Sequence, residues 1–300
     1  MKDYILEMKN ITKEYPGVKA LDNVNLQIKR AGIHALVGEN GAGKSTLMNI
    51  LSGTIPYNEY SGQIFYNNQE CKFQKIHDSE NLGIVIIHQE LALIPELTIA
   101  ENMFLGNERK NKFGVIDWNE TFHQAAVAMK AVGLNESTQS LIKDIGTGKQ
   151  QLVEIAKAIS KDVKLLILDE PTAGLDPGAH KEILKMIEEI HSAQDNIIIF
   201  VSHNMSDVAE LADRVLVMDE GKLLMMDTPE VVFSRHEELN TIGLDIPPVT
   251  ELMNDIGACG ADVPANVLNV EDAKTALLAY LRNRHAGSES VKPERGESDD

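Results

Sequence analysis

Gly38-Glu39-Asn40-Gly41-Ala42-Gly43-Lys44-Ser45-Thr46 is the stretch that decides the fold. Its spacing is G-x-x-x-x-G-K-S, and its flanks agree with it. Ile33-His34-Ala35-Leu36-Val37 is a short apolar run with the character of a buried strand, and Thr46-Leu47-Met48-Asn49-Ile50-Leu51 reads as the first turns of a helix. Strand, glycine-rich turn and helix in that order make a phosphate-binding loop. The glycines let the backbone curl so that several N–H groups converge on an anion. The helix adds its unsatisfied N–H groups and the positive end of its dipole. Lys44 is the mobile charge for the β- and γ-phosphates of ATP, and the Ser45 hydroxyl is placed to ligate Mg²⁺.

The bulk composition narrows the partners. The chain has 300 residues, 43% hydrophobic and 25% charged, which is ample material for a core. Its net charge of −18 argues against nucleic acid as a partner, so a polyanion such as ATP must be attracted locally by the loop. Cys71 and Cys259 lack metal-like spacing and are expected to be reduced thiols of a cytosolic protein. Met1-Lys2-Asp3-Tyr4 runs straight into a strand pattern without the signature of a signal peptide, and no stretch is apolar enough to span a bilayer.

Outward from the loop, Tyr4–Met8, Val24–Ile28 and Gly62–Tyr66 alternate like strands of an antiparallel sheet with one wet face. Tyr15 falls in the turn Glu14-Tyr15-Pro16-Gly17, where an aromatic ring can stack on a purine, an interaction of about 1–3 kcal/mol. Gly83–Ile87 reads as a buried strand ending at His88-Gln89-Glu90, and the pattern is helical from about 91 to 160. Within it, Asp144-Ile145-Gly146-Thr147-Gly148-Lys149-Gln150-Gln151 is a glycine-bearing loop entering a helix, a second candidate anion site at Gly146, Gly148 and Lys149. Leu165–Leu168 is an apolar strand followed by Asp169-Glu170, one carboxylate for the Mg²⁺ shell and one to act as general base on water. Ile197–Val201 is a third such strand and ends at Ser202-His203. Val215–Met218 and Leu223–Met226 make a hairpin about Asp219–Lys222. After Val232 the signals weaken: Pro247-Pro248 reads as a break, Glu271–Asn283 as one amphipathic helix, and 287–300 as a disordered tail. Alternating strands and helices predict an α/β fold with a mostly parallel, doubly wound core sheet, an antiparallel β subdomain and an α-helical subdomain at about 91–160.

In this order the motifs resemble those of ATP-binding cassette (ABC) transporter ATPases over roughly Tyr4 to Thr228. The resemblance implies roles for Tyr15 on the base, for Gly38–Ser45, for Gln89 as the Q-loop residue near the metal and catalytic centre, for the signature Ile145–Lys149, for Asp169 and Glu170, and for His203 as the switch. It implies two cassettes that sandwich ATP, the signature of one facing the phosphate loop of the other. It also implies a transmembrane permease as partner and a peripheral place on the cytoplasmic face of the membrane. The signature departs from the family's Leu-Ser-Gly-Gly-Gln: Gly146 stands where the serine would reach the γ-phosphate. A hydrogen bond to a charged group is worth roughly 1.5–3 kcal/mol, so closure on ATP should weaken about tenfold to a hundredfold.

Within the family, Tyr15–Leu21, Ile87–Asn102 and Gly148–Ile155 look like the first cassette of sugar-importer ATPases of the ribose/galactose/xylose type. Ala173–Pro177, Val201–Ala209 and Ile242–Leu252 look like energy-coupling factor (ECF) ATPases for vitamins or metal ions. That contrast implies a cassette at 4–235, an ECF-like extension at 236–286 and a junction near Asp169–Ala173, as a chimeric gene would produce.

Overall fold

The computed structural model describes residues 4–161, 163–194 and 196–288. Two sheets organise them. Strands β1 (Tyr4–Tyr15) and β2 (Val18–Lys29) lead to β3 (Gly32–Val37), which feeds helix α1 (Lys44–Leu51) through the phosphate loop. Next come β4 (Ser61–Tyr66), β5 (Gln69–Cys71), α2 (Ile76–Glu80) and β6 (Ile84–Ile87). The helical stretch holds α3 (Ile99–Phe104), α4 (Trp118–Ala131) and α5 (Thr147–Ile159). It is followed by β7 (Leu165–Asp169), α6 (Pro177–Gln194), β8 (Ile197–Val201), α7 (Met205–Leu211), β9 (Arg214–Asp219) and β10 (Lys222–Asp227). Four helices close the described chain: α8 (Pro229–Phe233), α9 (His236–Thr241), α10 (Pro248–Ala258) and α11 (Val270–Ser288).

The core sheet has the order β10-β9-β3-β8-β7-β6, every neighbouring pair parallel except β9 with β10. Both its faces are covered, which is why β8 is apolar and buried at every position. The second sheet, β2-β1-β4-β5, is antiparallel. Its inner face, including Leu6, Met8, Leu26 and Ile64, packs with Leu47 and Ile50 of α1 and with Leu36 and Ile199 of the core sheet. Helices α3 to α7 close the other face of the core sheet over Val85, Leu166, Ile198 and Phe200. This is the α/β arrangement the sequence predicts.

Several boundaries differ. Strands β1 and β2 each run 12 residues, where alternation suggests five. Register shifts hide the period, two of them beside Asn10 and Asn23, which stand in left-handed conformation. Tyr15, expected in a turn, closes β1, and Pro16-Gly17 turns the chain into β2. Helix α5 begins at Thr147, so Gly148 and Lys149 lie in its first turn and not in a loop. Pro247-Pro248 opens α10 instead of breaking the chain, since a proline in the first helical turn gives up an N–H that has no partner anyway. The main core runs on through Leu239, Leu244 and Ile246, while Met253, Val267 and Ala273 form a small cluster of their own. The tail expected at 287–300 begins inside α11 and from 289 onward lies outside the described residues. Cys71 is buried and Cys259 exposed, both as free thiols.

One core group carries a pH signature. His34 on β3 is 2% exposed, and neither ring nitrogen has a hydrogen-bond partner among the described residues. Burial pushes its pKa down to about 4, against the attraction of Asp213 and with help from Arg214 and His191. The unfolded imidazole titrates near 6.5 and so takes up its proton first as pH falls. Stability from this residue is intact above pH 6.5 and drains away toward pH 4, by about 3 kcal/mol in all. Urea unfolding of the parent and of His34→Leu across that window should show the parent losing stability relative to the variant as the pH drops. A constant difference between them would mean that His34 does not titrate with folding.

Candidate nucleotide-binding site

Parallel strands deliver their carboxyl ends to one edge of the core sheet, and functional loops collect there. Here β3 ends in the phosphate loop, β6 in Gln89, β7 in Asp169-Glu170 and β8 in His203. A cleft of about 490 Å³ is lined by Tyr15, Asn40, Gly41, Gly43, Lys44, Ser45, Thr46, Gln89, Asp169, Glu170 and His203, among others. Five separate segments thus meet around one space.

The loop geometry follows from its glycines. Gly43 is the N-cap of α1 at φ 99°, where a Cβ would stand 2.6 Å from Ala20 O. Gly38, at φ 154°, has no room for a Cβ against Met218 O. With no side chain capping α1, the N–H groups of its first turn remain open to an anion. The β9–β10 hairpin braces the loop from outside. Glu220 and Gly221 both have positive φ, as a two-residue hairpin turn demands, and Gly221 N–H donates to Ala42 O. Lys44 is buried and donates to Gly38 O at 2.6 Å and to Glu39 O at 3.0 Å. Burial lowers its pKa, opposed by Glu170 and Asp169. Gly38, Glu39 and Ala42, all expected to bind nucleotide, shape the loop without lining the cleft: Gly38 and Glu39 present carbonyls to Lys44, and Ala42 is packed in the core.

At the far wall, Glu170 holds a left-handed backbone at φ 52°, fixed by its N–H on Val201 O and by Ala173 N–H on its own carbonyl. Burial is the main cause that raises its carboxyl to about pKa 7; Lys44 opposes the shift and Asp169 adds to it. Asp169 is also raised, chiefly by burial, against His88 and Lys44. His203 Nε2 stands 3.1 Å from Glu170 Oε1, yet out of line for a hydrogen bond, so that oxygen has no hydrogen-bond partner among the described residues. Burial lowers the pKa of His203. A buried carboxyl whose pKa is raised to about 7, in the cleft that also holds Lys44, is suited to take a proton from water. Tyr15 stands at the rim, 43% exposed, with Lys13 Nζ 4.8 Å from its ring centre. Ser45, Gln89 and Asp169 share the cleft and offer only oxygen donors for a metal, as Mg²⁺ prefers. Among the described residues no three acidic, cysteine or histidine side chains cluster as a ready cation cage, so nucleotide phosphate and water would supply the rest.

The other three predicted binding residues lie elsewhere. Gly146, Gly148 and Lys149 line a second cleft of about 680 Å³ with Gly174, Leu175 and Asp176. Lys149 is paired there with Glu136 at 2.6 Å. A third group went unread in the sequence: Asp207 on α7, buried, accepts from Thr172 Oγ1 at 3.1 Å and pairs with His180 Nε2 at 2.8 Å. Its only sequence signal is an acid in the first turn of a helix, which is too common to single out.

Fold and cleft together define a P-loop nucleotide-binding protein. The family profile described as "ABC transporter" matches residues 21–173. The chain belongs to the ABC transporter family, as its ATP-binding cassette. Among curated relatives, the L-arabinose transport ATP-binding protein AraG of Geobacillus stearothermophilus is 53% identical over 239 residues, covering 80% of this chain and 45% of that protein. The xylose import ATP-binding protein XylG of Thermoanaerobacter pseudethanolicus is 47% identical over 230 residues, covering 77% and 45%. The chain therefore spans about half the length of the curated relatives it matches. Among solved structures, cbiO1 of Clostridium perfringens, part of the ABC transporter complex cbiONQ, has a TM-score of 0.68 at 29% identity and covers 84% of this chain and 100% of its own. A match of 239 residues within a chain of 300 runs across Asp169–Ala173 wherever it starts. The expected change of subfamily at that point, and an ECF-type cargo, gain no support from these relatives.

Proposed function

We propose that the chain is the ATP-binding and ATP-hydrolysing part of a sugar importer, with a pentose such as arabinose or xylose as cargo. The observation that carries the reading is the single cleft in which Lys44, Ser45, Gln89, Asp169, Glu170 and His203 converge. The cargo rests on the AraG and XylG relatives. Lys44 and the open N–H groups of α1 hold the phosphates, Tyr15 takes the base, and Glu170 accepts the proton of the attacking water with His203 beside it. Mg²⁺, when bound at Ser45, Gln89 and Asp169, would neutralise phosphate charge. The likeness to AraG and XylG supports a membrane permease as partner, on which this chain docks from the cytoplasmic side; no described helix is long and apolar enough to cross a membrane. ATP turnover by the purified chain, alone and with a co-expressed permease and second cassette, tests the reading. Mg²⁺-dependent hydrolysis supports it, and nucleotide binding without hydrolysis in either setting leaves only a supporting role for the chain.

The separation of the two clefts favours a paired mode of action. The Gly146–Lys149 cleft is not part of the cleft around Lys44, so a phosphate held by this loop meets a signature only from another cassette. Gly146 is the N-cap of α5 with extended backbone, and a Cβ there meets nothing within 4 Å. Serine fits this position without strain and is itself a better cap, by a few tenths of a kcal/mol. Gly146→Ser in a Glu170→Gln background should tighten ATP-dependent self-association by roughly tenfold or more, measured by light scattering. If the parental signature already gives a tight ATP-bound homodimer and Gly146→Ser adds nothing, a partner with a different signature is not required.

A further inference from the structure

We propose that Asp207 is a positioning residue that ties the nucleotide cleft to the Gly146–Lys149 cleft within one chain. The proposal rests on reading the first cleft as the nucleotide site. Asp207 is buried, 4% exposed, and both carboxylate oxygens are taken, Oδ2 by the Thr172 hydroxyl and Oδ1 by His180 Nε2. A buried carboxylate satisfied from two other segments locks them together, because releasing either leaves charge without a partner in a water-poor place. The three segments are not equivalent. Asp207 lies in the first turn of α7, four residues after His203 and beside the Asn204 cap. Thr172 follows Glu170 by two residues, and the Ala173 N–H bond to Glu170 O keeps the intervening turn rigid. His180 lies in the first turn of α6, whose N-terminus is fixed by Asp176 Oδ1 on the N–H groups of Gly178 and Ala179.

From His180 the path reaches the second cleft directly. Ala179, its neighbour, packs so closely on α5 that a Cβ at Gly148 would lie 2.7 Å from the Ala179 Cβ. Asp176, Gly178 and Ala179 themselves line that cleft. A displacement at His203 or Glu170 is thereby carried through Asp207 to α6 and on to Gly148, through packed groups with no flexible link between them. Packed contacts of this kind switch between discrete arrangements and do not deform smoothly. Asp207 lines neither cleft, although its charge helps to hold the Glu170 carboxyl above its ordinary pKa, so its main effect falls on the coupling of the clefts and not on nucleotide affinity.

The test places a reporter in the second cleft and a ligand in the first. Thr147, exposed and lining the second cleft, is changed to cysteine in a Cys259→Ser background, and the thiol is labelled with an environment-sensitive fluorophore. AMP-PNP with Mg²⁺ is then titrated, and its affinity is measured separately by calorimetry. The label should respond to nucleotide in the otherwise unchanged chain. Asp207→Ala should keep nucleotide affinity within about threefold, and the label response should vanish. Asp207→Asn, which can still bond Thr172 and His180, should retain the response, and His180→Ala should lose it. Intact binding with a silent label in the parent, or an equal response in Asp207→Ala, overturns the coupling while leaving the nucleotide site standing. Absence of AMP-PNP binding by the parent overturns the nucleotide site, and the coupling with it.

Discussion

Changing Glu170 to glutamine is expected to leave ATP bound and to slow its hydrolysis about 10²–10⁴-fold, the usual contribution of a general base. Glutamine keeps the shape of the side chain and removes only its capacity to take a proton. The backbone at Glu170 is left-handed, uncommon for a residue with a side chain, and it is held there by bonds to Val201 and from Ala173. That conformation aims the carboxyl into the cleft beside Asp169 and Lys44. With a pKa raised to about 7, the carboxyl is divided between its two forms at neutral pH and suited to both accept and release a proton. Steady-state turnover and calorimetric ATP affinity of Glu170→Gln check this. Hydrolysis at the parental rate would remove Glu170 from the chemistry.

Lys44→Ala is the second large effect. The lysine is pre-positioned by the Gly38 and Glu39 carbonyls, so it meets the phosphates at little cost in side-chain order. The chain around it carries a net charge of −18, and Glu170 and Asp169 face the same space. Without Lys44 the open N–H groups of α1 alone oppose that field. ATP affinity should fall about a hundredfold or more, as expected for two lost charge-assisted contacts of roughly 1.5–3 kcal/mol each. Calorimetry on a variant whose melting temperature is unaltered decides the matter, and unchanged affinity would contradict the role of the central loop.

Much of this site is readable along the chain because its parts are local. Gly38–Thr46, Asp169-Glu170 and His203 each follow an apolar run short enough to be a buried strand, and parallel strands bring such ends together by construction. What depends on side-chain direction is less legible. Gly38, Glu39 and Ala42 belong to the loop by spacing but do not line the cleft: the Gly38 and Glu39 carbonyls hold Lys44, and Ala42 packs in the core. Long-range pairing is hidden as well. Asp207 meets His180 and Thr172 across 27 and 35 residues, and no period or motif records that meeting. The full length of β1 and β2 is masked by register shifts at Asn10 and Asn23.

The tight seat of the phosphate loop has a bearing on how variants are interpreted. A Cβ at Gly38 runs into the β9 backbone at Met218, and one at Gly43 into the β2 backbone at Ala20. The loop is thus a pin shared by two sheets as well as a cradle for phosphate. An allele altered at either glycine confounds misfolding with lost chemistry, and no transport phenotype can separate them. Ser45, exposed on the cleft side of α1, carries no such double burden, so an allele at Ser45 speaks for the chemistry alone.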